Sequence, residues 1–180
     1  ASAAMASSGD GKFIGSIPGQ PAGAVVQFYV RGTDGSGVHA FHPAAGSDSR
    51  ALYKVNDNQA ATNGWHNFRV ITTNADRTWM HTNYNTMSND LIGCTVIDRE
   101  NEIYYGVGVH LKSSERGRNQ LTRVGYNLTF PSDGLFRGVH DSLNLDRSEG
   151  QAPGQRELLF DVMISNAGGP ISRYNDFIKL

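Results

Sequence analysis

Two stretches of regular alternation constrain the fold of this chain more than any other feature of its sequence. In each stretch every second residue is apolar, and the residues between them are mostly small or polar, which is the pattern of a strand buried on one face. The apolar positions are Ile103, Tyr105, Val107, Val109 and Leu111 in the first stretch, and Val124, Tyr126, Leu128 and Phe130 in the second. The polar segment "SSERGRNQ" lies between them, so residues 104–130 are predicted to form an antiparallel hairpin with this segment at its tip.

The sequence around this hairpin predicts further strands and two helices. A strand "HNFRVIT" is followed by Asn74 as the cap of a short helix near 75–84, and "GCTVIDRENEIYYGVGVHL" predicts a hairpin that turns at "DREN". The main helix is predicted near 153–168, where it begins at a proline and ends at a glycine pair. Its apolar stripe consists of Leu158, Leu159, Val162 and Met163. With a last strand in "YNDFIKL", the predicted fold class is mixed and mainly β (α+β), with antiparallel sheets.

The N-terminal residues predict a separate, small β unit. Three short strands with Gly- and Pro-rich turns are predicted over residues 11–57, followed by a linker at 58–66. Their apolar residues are Phe13, Ile14, Val26, Phe28, Val30, Leu52 and Val55. Three strands cannot close a sandwich, which takes about seven, so this apolar face must be covered. The short linker favours packing within the chain over pairing with a second copy.

Composition and charge exclude several classes of protein. The 180-residue chain has a net charge of −1 at pH 7, so it lacks the basic surface of a nucleic-acid-binding or membrane-surface protein. No apolar run approaches the roughly 18 residues that a membrane span needs, and the start "ASAAMASSGDGK" lacks the features of a signal peptide. The single cysteine, Cys94, excludes an internal disulfide, and its apolar neighbours predict a buried structural thiol.

Several segments of residues 65–180 resemble the beginning of the spore-coat protein H (CotH) kinase-like family. These segments are "NFRVITTNADRTWMH", "MSND", "VGVHLKSSERGR", "LFRGVHDSLNLDRSEG" and "GQRELLFDVMISNAGGPISRYNDFIKL". Residues 11–57 resemble the last strands of an immunoglobulin-like or fibronectin-III-like module, which often precedes such a domain in bacterial surface proteins. The resemblance implies a partial immunoglobulin-like unit at 1–57, a linker at 58–66 and an incomplete kinase-like lobe at 67–180.

The resemblance also implies a function. It implies a secreted or cell-surface bacterial protein that transfers phosphate from ATP to protein Ser or Thr with the help of a divalent metal. The family's metal-binding and catalytic acidic residues follow the strand that "YNDFIKL" matches. We therefore expect no catalytic residue and no metal ligand in this chain, and no turnover by the chain alone. The expected partner is the remainder of a parent protein or a second copy of the chain.

The loop after the first alternating strand is the candidate phosphate site. Its candidate residues are Lys112, Ser113, Ser114, Arg116 and Arg118. Hydroxyls, backbone N–H groups and guanidinium groups suit a phosphate because charge-assisted hydrogen bonds are strong. Glu115 would oppose an anion, and a solvated hairpin tip with an internal Glu–Arg pair explains the same composition.

Two residues outside the loop complete the candidate site. Arg123 stands where the family tends to have a lysine that opens the strand after the loop, and Glu157 begins the main helix. In kinase-like lobes a helix glutamate pairs with a cation on a strand that holds nucleotide phosphates. A glutamate in the first turn also favours the helix dipole without any such role, so both interpretations of Glu157 stay open.

Two other functions fit the sequence. Open strand edges in the N-terminal unit would let the chain self-associate as a structural or adhesive module. In a module that binds carbohydrate or another small ligand, Trp65 and Trp79 could stack on sugars, although their apolar neighbours favour a place in the core for both. His39 and His42 lie in an extended segment, which does not bring them together as zinc ligands.

Overall fold

A computed structural model gives the structure of residues 1–60, 62, 64, 66–147, 155–169 and 178–179. These residues form a mainly β structure with antiparallel sheets, as predicted. The N-terminal part contains three two-stranded antiparallel pairs. The pairs are β1 (Ala6–Gly9) with β2 (Lys12–Ile14), β3 (Val25–Gln27) with β6 (Leu52–Lys54), and β4 (Val30–Thr33) with β5 (His39–His42). The alternating segment "AVVQFYV" is thus divided between β3 and β4, with Phe28 and Tyr29 between the two strands.

A six-stranded sheet follows, in the order β11-β10-β9-β8-β7-β12. The strands are β7 (His66–Ile71), β8 (Ile92–Asp98), β9 (Glu102–Lys112), β10 (Gly125–Thr129), β11 (Ser142–Leu145) and β12 (Ile178–Lys179). Strands β7 to β11 are antiparallel neighbours in chain order, and β12 pairs with β7 in parallel. The helices are α1 (Asn74–Met80), α2 (Glu115–Arg118) and α3 (Gln155–Asn166).

The two predicted helices are present, with two corrections. The cap of α1 is Thr73 and not Asn74, because the Thr73 hydroxyl accepts a hydrogen bond from the Asp76 backbone N–H at 3.1 Å. The apolar stripe of α3 is largely exposed, and its exposed members include Leu159, Val162 and Met163. In the part of the chain that the structure describes, no helix is long and apolar enough to cross a membrane.

The predicted hairpin of residues 104–130 is confirmed, but the prediction for one part of its apolar face is wrong. Strands β9 and β10 pair in the register that places Val109 opposite Leu128. A bulge then shifts the pairing of β9 with β8 near Gly106, whose φ is +68°. Because one extra residue reverses the alternation, Tyr104 packs on the core, whereas Ile103 is exposed and Tyr105 turns to the other face.

The core lies on one face of the large sheet. It contains Phe68, Met80, Cys94, Val96, Val107, Val109, Leu111, Leu128, Phe130 and Phe136. Cys94 is fully buried, as predicted, and burial raises the pKa of its thiol to about 12. Trp79 does not belong to this core, because 38% of its surface is exposed. The prediction of a core position for Trp79 is therefore wrong, and Trp65 lies outside the described residues.

The opposite face of the sheet is covered by part of the N-terminal unit. Leu52 is fully buried there with Ile71 and Ile97, and the rings of Phe28 and Tyr105 meet edge to face at 5.7 Å. Packing within the chain is thus confirmed for β6 and the residues beside it. It does not extend to the whole predicted apolar face, because Phe13, Ile14 and Val30 stay exposed.

Thr95 joins this N-terminal segment to the sheet. Its buried hydroxyl accepts a hydrogen bond from the Leu52 N–H at 2.9 Å and donates one to the Arg50 carbonyl at 2.6 Å. Thr95 thereby satisfies two main-chain groups of the covering segment, which pairs with β3 and not with a strand of the large sheet. One side chain in the centre of β8 therefore sets how the covering segment lies on the sheet.

Thr95→Val should destabilise the fold by about 2–4 kcal/mol, because an isosteric side chain would leave the Leu52 N–H and the Arg50 carbonyl buried without partners. The measurement is the free energy of unfolding in urea. Thr129→Val is the matched control, since Thr129 is an exposed strand threonine, and it should change stability by less than about 0.5 kcal/mol. Equal stability of both variants would contradict the role of Thr95.

Candidate functional site

The candidate loop connects β9 to β10 and is more ordered than a plain hairpin tip. Its first residue, Ser113, has a left-handed backbone with φ of +97°. The short helix α2 follows, and the Ser114 carbonyl accepts hydrogen bonds from the N–H groups of Gly117 at 2.8 Å and Arg118 at 3.0 Å. The hydroxyl of Ser114 makes no capping hydrogen bond, and the surfaces of Ser113 and Ser114 are exposed. Ser113 and Ser114 are therefore exposed residues of a folded loop.

Arg118 fixes this loop to a distant part of the chain. Its guanidinium donates to the Ser113 carbonyl at 2.8 Å, to the Ser88 carbonyl at 2.9 Å and to the Asn89 side-chain oxygen at 2.9 Å, with a longer contact to the Thr86 carbonyl at 3.4 Å. Only 8% of Arg118 is exposed. Since four of its five N–H donors have protein acceptors, the main role of Arg118 is to hold the loop in place.

Gly117 and Arg147 complete the loop on its other side. A Cβ atom at Gly117 would come within 2.6 Å of the Ser113 Cβ, so any larger residue would displace Ser113. The same position lies 3.4 Å from the guanidinium carbon of Arg147, which follows β11. Arg147 was missed as a site residue because it is about 30 positions away in the sequence. The signal available was the polar segment "DRSEG", whose last three residues lie outside the described part of the chain.

The other predicted site residues have different surroundings. Lys112 forms an ion pair with Asp146 at 2.7 Å, so a carboxylate already neutralises its charge. Arg116 and Arg123 are exposed, and neither guanidinium forms an ion pair with any described residue. Glu157 lies in the first turn of α3, but its side chain is outside the described residues, so its predicted pairing with Arg123 stays a prediction.

Among the described residues, the loop and its neighbours carry more cations than acids. Four cationic side chains lie on or beside the loop, and the described acids on the same segments are Glu115 and Asp146. The cations are Lys112, Arg116, Arg118 and Arg147. Among the residues with described positions, no three His, Cys, Asp or Glu side chains are grouped closely enough to hold a metal ion. The loop therefore fits the phosphates of the implied nucleotide, whereas the implied metal has no matching donor set here.

A concave groove lies between the N-terminal segment and the sheet, and the arginine on its wall is already paired with a carboxylate. This groove has a volume of about 530 Å³, and the ion pair of Arg50 and Asp76 lies on its wall. Burial opposes ionisation of Asp76, but hydrogen bonds from Arg50 and Thr73 outweigh it and hold the pKa of this carboxyl below its usual value. The Arg50 guanidinium also donates to the carbonyls of Asp48 and Ser49. A ligand in this groove would meet a cation that already has its partners.

Comparisons of the chain with protein-family models, with curated proteins and with solved structures found no match. The resemblance to the spore-coat protein H kinase-like family and to immunoglobulin-like modules thus stays a prediction from the quoted segments.

Proposed function

We propose that this chain is the phosphate-binding front part of a secreted or cell-surface kinase-like protein, and that its loop between β9 and β10 binds the phosphates of ATP. The observation that carries the proposal is the exposed guanidinium of Arg116 on a loop that the buried Arg118 holds in a fixed shape. Further support comes from the antiparallel sheet and from the segments that resemble the spore-coat protein H kinase-like family.

The chemistry of the loop suits a phosphate. Guanidinium groups form short, charge-assisted and often bidentate hydrogen bonds with phosphate oxygens, and hydroxyl groups can donate to the same oxygens. Arg116 and Arg147 would supply the charge, and Ser113 and Ser114 would supply the hydroxyls. Since phosphoryl transfer depends mainly on positioning and on charge stabilisation, a fixed loop of this kind is what the front part of such a protein would contribute.

We expect the 180-residue chain to bind ATP weakly and to transfer no phosphate. Binding measured by calorimetry should weaken about tenfold in Arg116→Ala, because one charge-assisted contact of about 1.5 kcal/mol is lost. Arg31→Ala is the matched control, since Arg31 is an exposed arginine on β4 and its loss changes the net charge equally. Identical ATP affinities for wild type and Arg116→Ala would contradict the proposal, as would metal-dependent phosphate transfer by the purified chain.

A second candidate function, self-association, is favoured by a different observation. Large apolar side chains are exposed on the N-terminal strand pairs and on α3, and they include Phe13, Ile14, Val38, Phe41, Leu159, Phe160 and Met163. A two-stranded pair is marginally stable by itself in water, and its open edges can pair with another chain. A structural or adhesive role would bury these residues between copies.

Light scattering after size-exclusion chromatography tests this second candidate. If the N-terminal pairs associate, the wild-type chain should form a dimer or a larger assembly at micromolar concentration, and Ile14→Lys on β2 should return it to a monomer because a buried charge would be unpaired. The control is Val139→Lys, since Val139 is similarly exposed but lies in the loop between β10 and β11. A wild-type chain that is monomeric at all concentrations would exclude self-association.

A further inference from the structure

Arg118 is the one arginine among the described residues that is buried, and no described carboxylate pairs with it. Arg50 pairs with Asp76 at 2.6 Å, Arg69 with Glu100 at 2.8 Å, and Arg137 with Asp98 at 2.9 Å. Arg118 is less exposed than these three, yet its acceptors among the described residues are main-chain carbonyls and one amide oxygen. Four of its five N–H groups have an acceptor, but none of these acceptors neutralises its positive charge.

An unneutralised buried charge is costly in a protein interior. Removing a guanidinium from water is unfavourable unless an opposite charge compensates for it. The neutral oxygens around Arg118 compensate in part, because hydrogen bonds to a charged donor are stronger than those to a neutral one. Glutamine has two N–H donors and could replace only part of these bonds. The protein contacts therefore account for the forked shape of the Arg118 side chain but leave its charge without a partner.

The surroundings of Arg118 show where a compensating anion would lie. One of its bonds goes to the carbonyl of Ser113, the residue whose side chain packs on Gly117. The guanidinium of Arg147 also lies close to Gly117, and Arg116 is exposed on the same short helix. These cations surround one loop, and Glu115 is the acid within that helix. An anion seated on the loop would be attracted by all three arginines.

We infer that Arg118 is the positioning residue of the phosphate site and also supplies its buried positive charge, for which the terminal phosphates of a bound polyphosphate are the counter-charge. Arg118 does not touch the ligand, because its N–H groups hold Ser113, Ser88 and Asn89. It acts through the loop that it fixes and through its charge. The inference rests on the proposed function and adds a preference for a multiply charged phosphate chain over a singly charged anion.

Tripolyphosphate is the probe, because it presents the phosphate chain without the nucleoside. Its affinity for the full 180-residue chain is measured by calorimetry at several chloride concentrations, at a temperature at which circular dichroism shows every variant folded. Arg118→Gln should bind tripolyphosphate at least tenfold more weakly. Its affinity should also fall less steeply as the chloride concentration rises, because one fewer charge is screened. Arg118→Lys keeps the charge but loses the forked geometry, so it should bind within about threefold of wild type although it melts at a lower temperature.

A purely structural role predicts a different result. If Arg118 only holds the loop, Arg118→Lys and Arg118→Gln should lose affinity equally and keep the wild-type salt dependence, and this outcome would overturn the inference. If Arg118→Gln does not fold, the inference is tested by the melting temperature of the wild-type chain in the presence of different anions. Tripolyphosphate should raise it by more than chloride or acetate at equal ionic strength, and an equal rise with all three anions would overturn the inference.

Parallel titrations with ATP distinguish a failure of the role inferred for Arg118 from a failure of the proposed ATP-binding function. Binding of tripolyphosphate without binding of ATP would reject ATP as the ligand and leave the role of Arg118 intact. Binding of ATP with unchanged affinity in Arg118→Gln would reject the role of Arg118 and leave the proposed function intact. Binding of neither probe would reject both.

Discussion

Strand β8 is buried on both of its faces, and the arrangement of the remaining structure depends on this constraint. Cys94 and Val96 lie in the main core, while Thr95 and Ile97 point to the opposite face. A central strand of this kind needs a covering layer on each side, since an exposed apolar face would lose on the order of 25 cal/mol for each Å² left in water. The residues around Leu52 provide the second layer. Thr95 forms the hydrogen bonds that hold this layer on the sheet.

The same sheet positions the candidate site. Strands β9 and β10 emerge from the core as a rigid pair, so the loop that joins them is held at both ends. Arg118 adds a third attachment, to the segment at Ser88 and Asn89. A loop fixed at three points loses little conformational entropy when it binds a ligand, and this favours binding by preorganised groups. The fold therefore accounts for the fixed shape of the loop, and the exposed arginines account for its charge.

Much of this architecture follows from the sequence, because alternation and turn residues act locally. The pairing of β9 with β10 and the position of α3 were predicted from such patterns. The bulge at Gly106 was not, since one extra residue reverses the two faces without changing the composition. The available signal was the isolated glycine within an alternating strand. Once the bulge turns Tyr105 outward, its contact with Phe28 becomes possible.

The different roles of the loop arginines could not be predicted from the sequence. Arg116 and Arg118 are two positions apart in a polar segment and look equivalent in the sequence. Their difference arises from carbonyl groups about 30 residues away, which accept hydrogen bonds from Arg118 alone. Main-chain acceptors are present at every residue, so no side-chain pattern marks them. Arg147 reaches the loop for a similar reason, because sheet topology brings the end of β11 beside it.

Amide hydrogen exchange of the full chain with and without saturating ATP tests the central claim most directly, because it locates the ligand as well as detecting it. We predict slower exchange in peptides that cover residues 113–118 and 86–89, with no change in the groove segment 43–50. Protection of residues 43–50 would place the ligand in the groove beside Arg50. Unchanged exchange throughout the chain would contradict nucleotide binding by the loop.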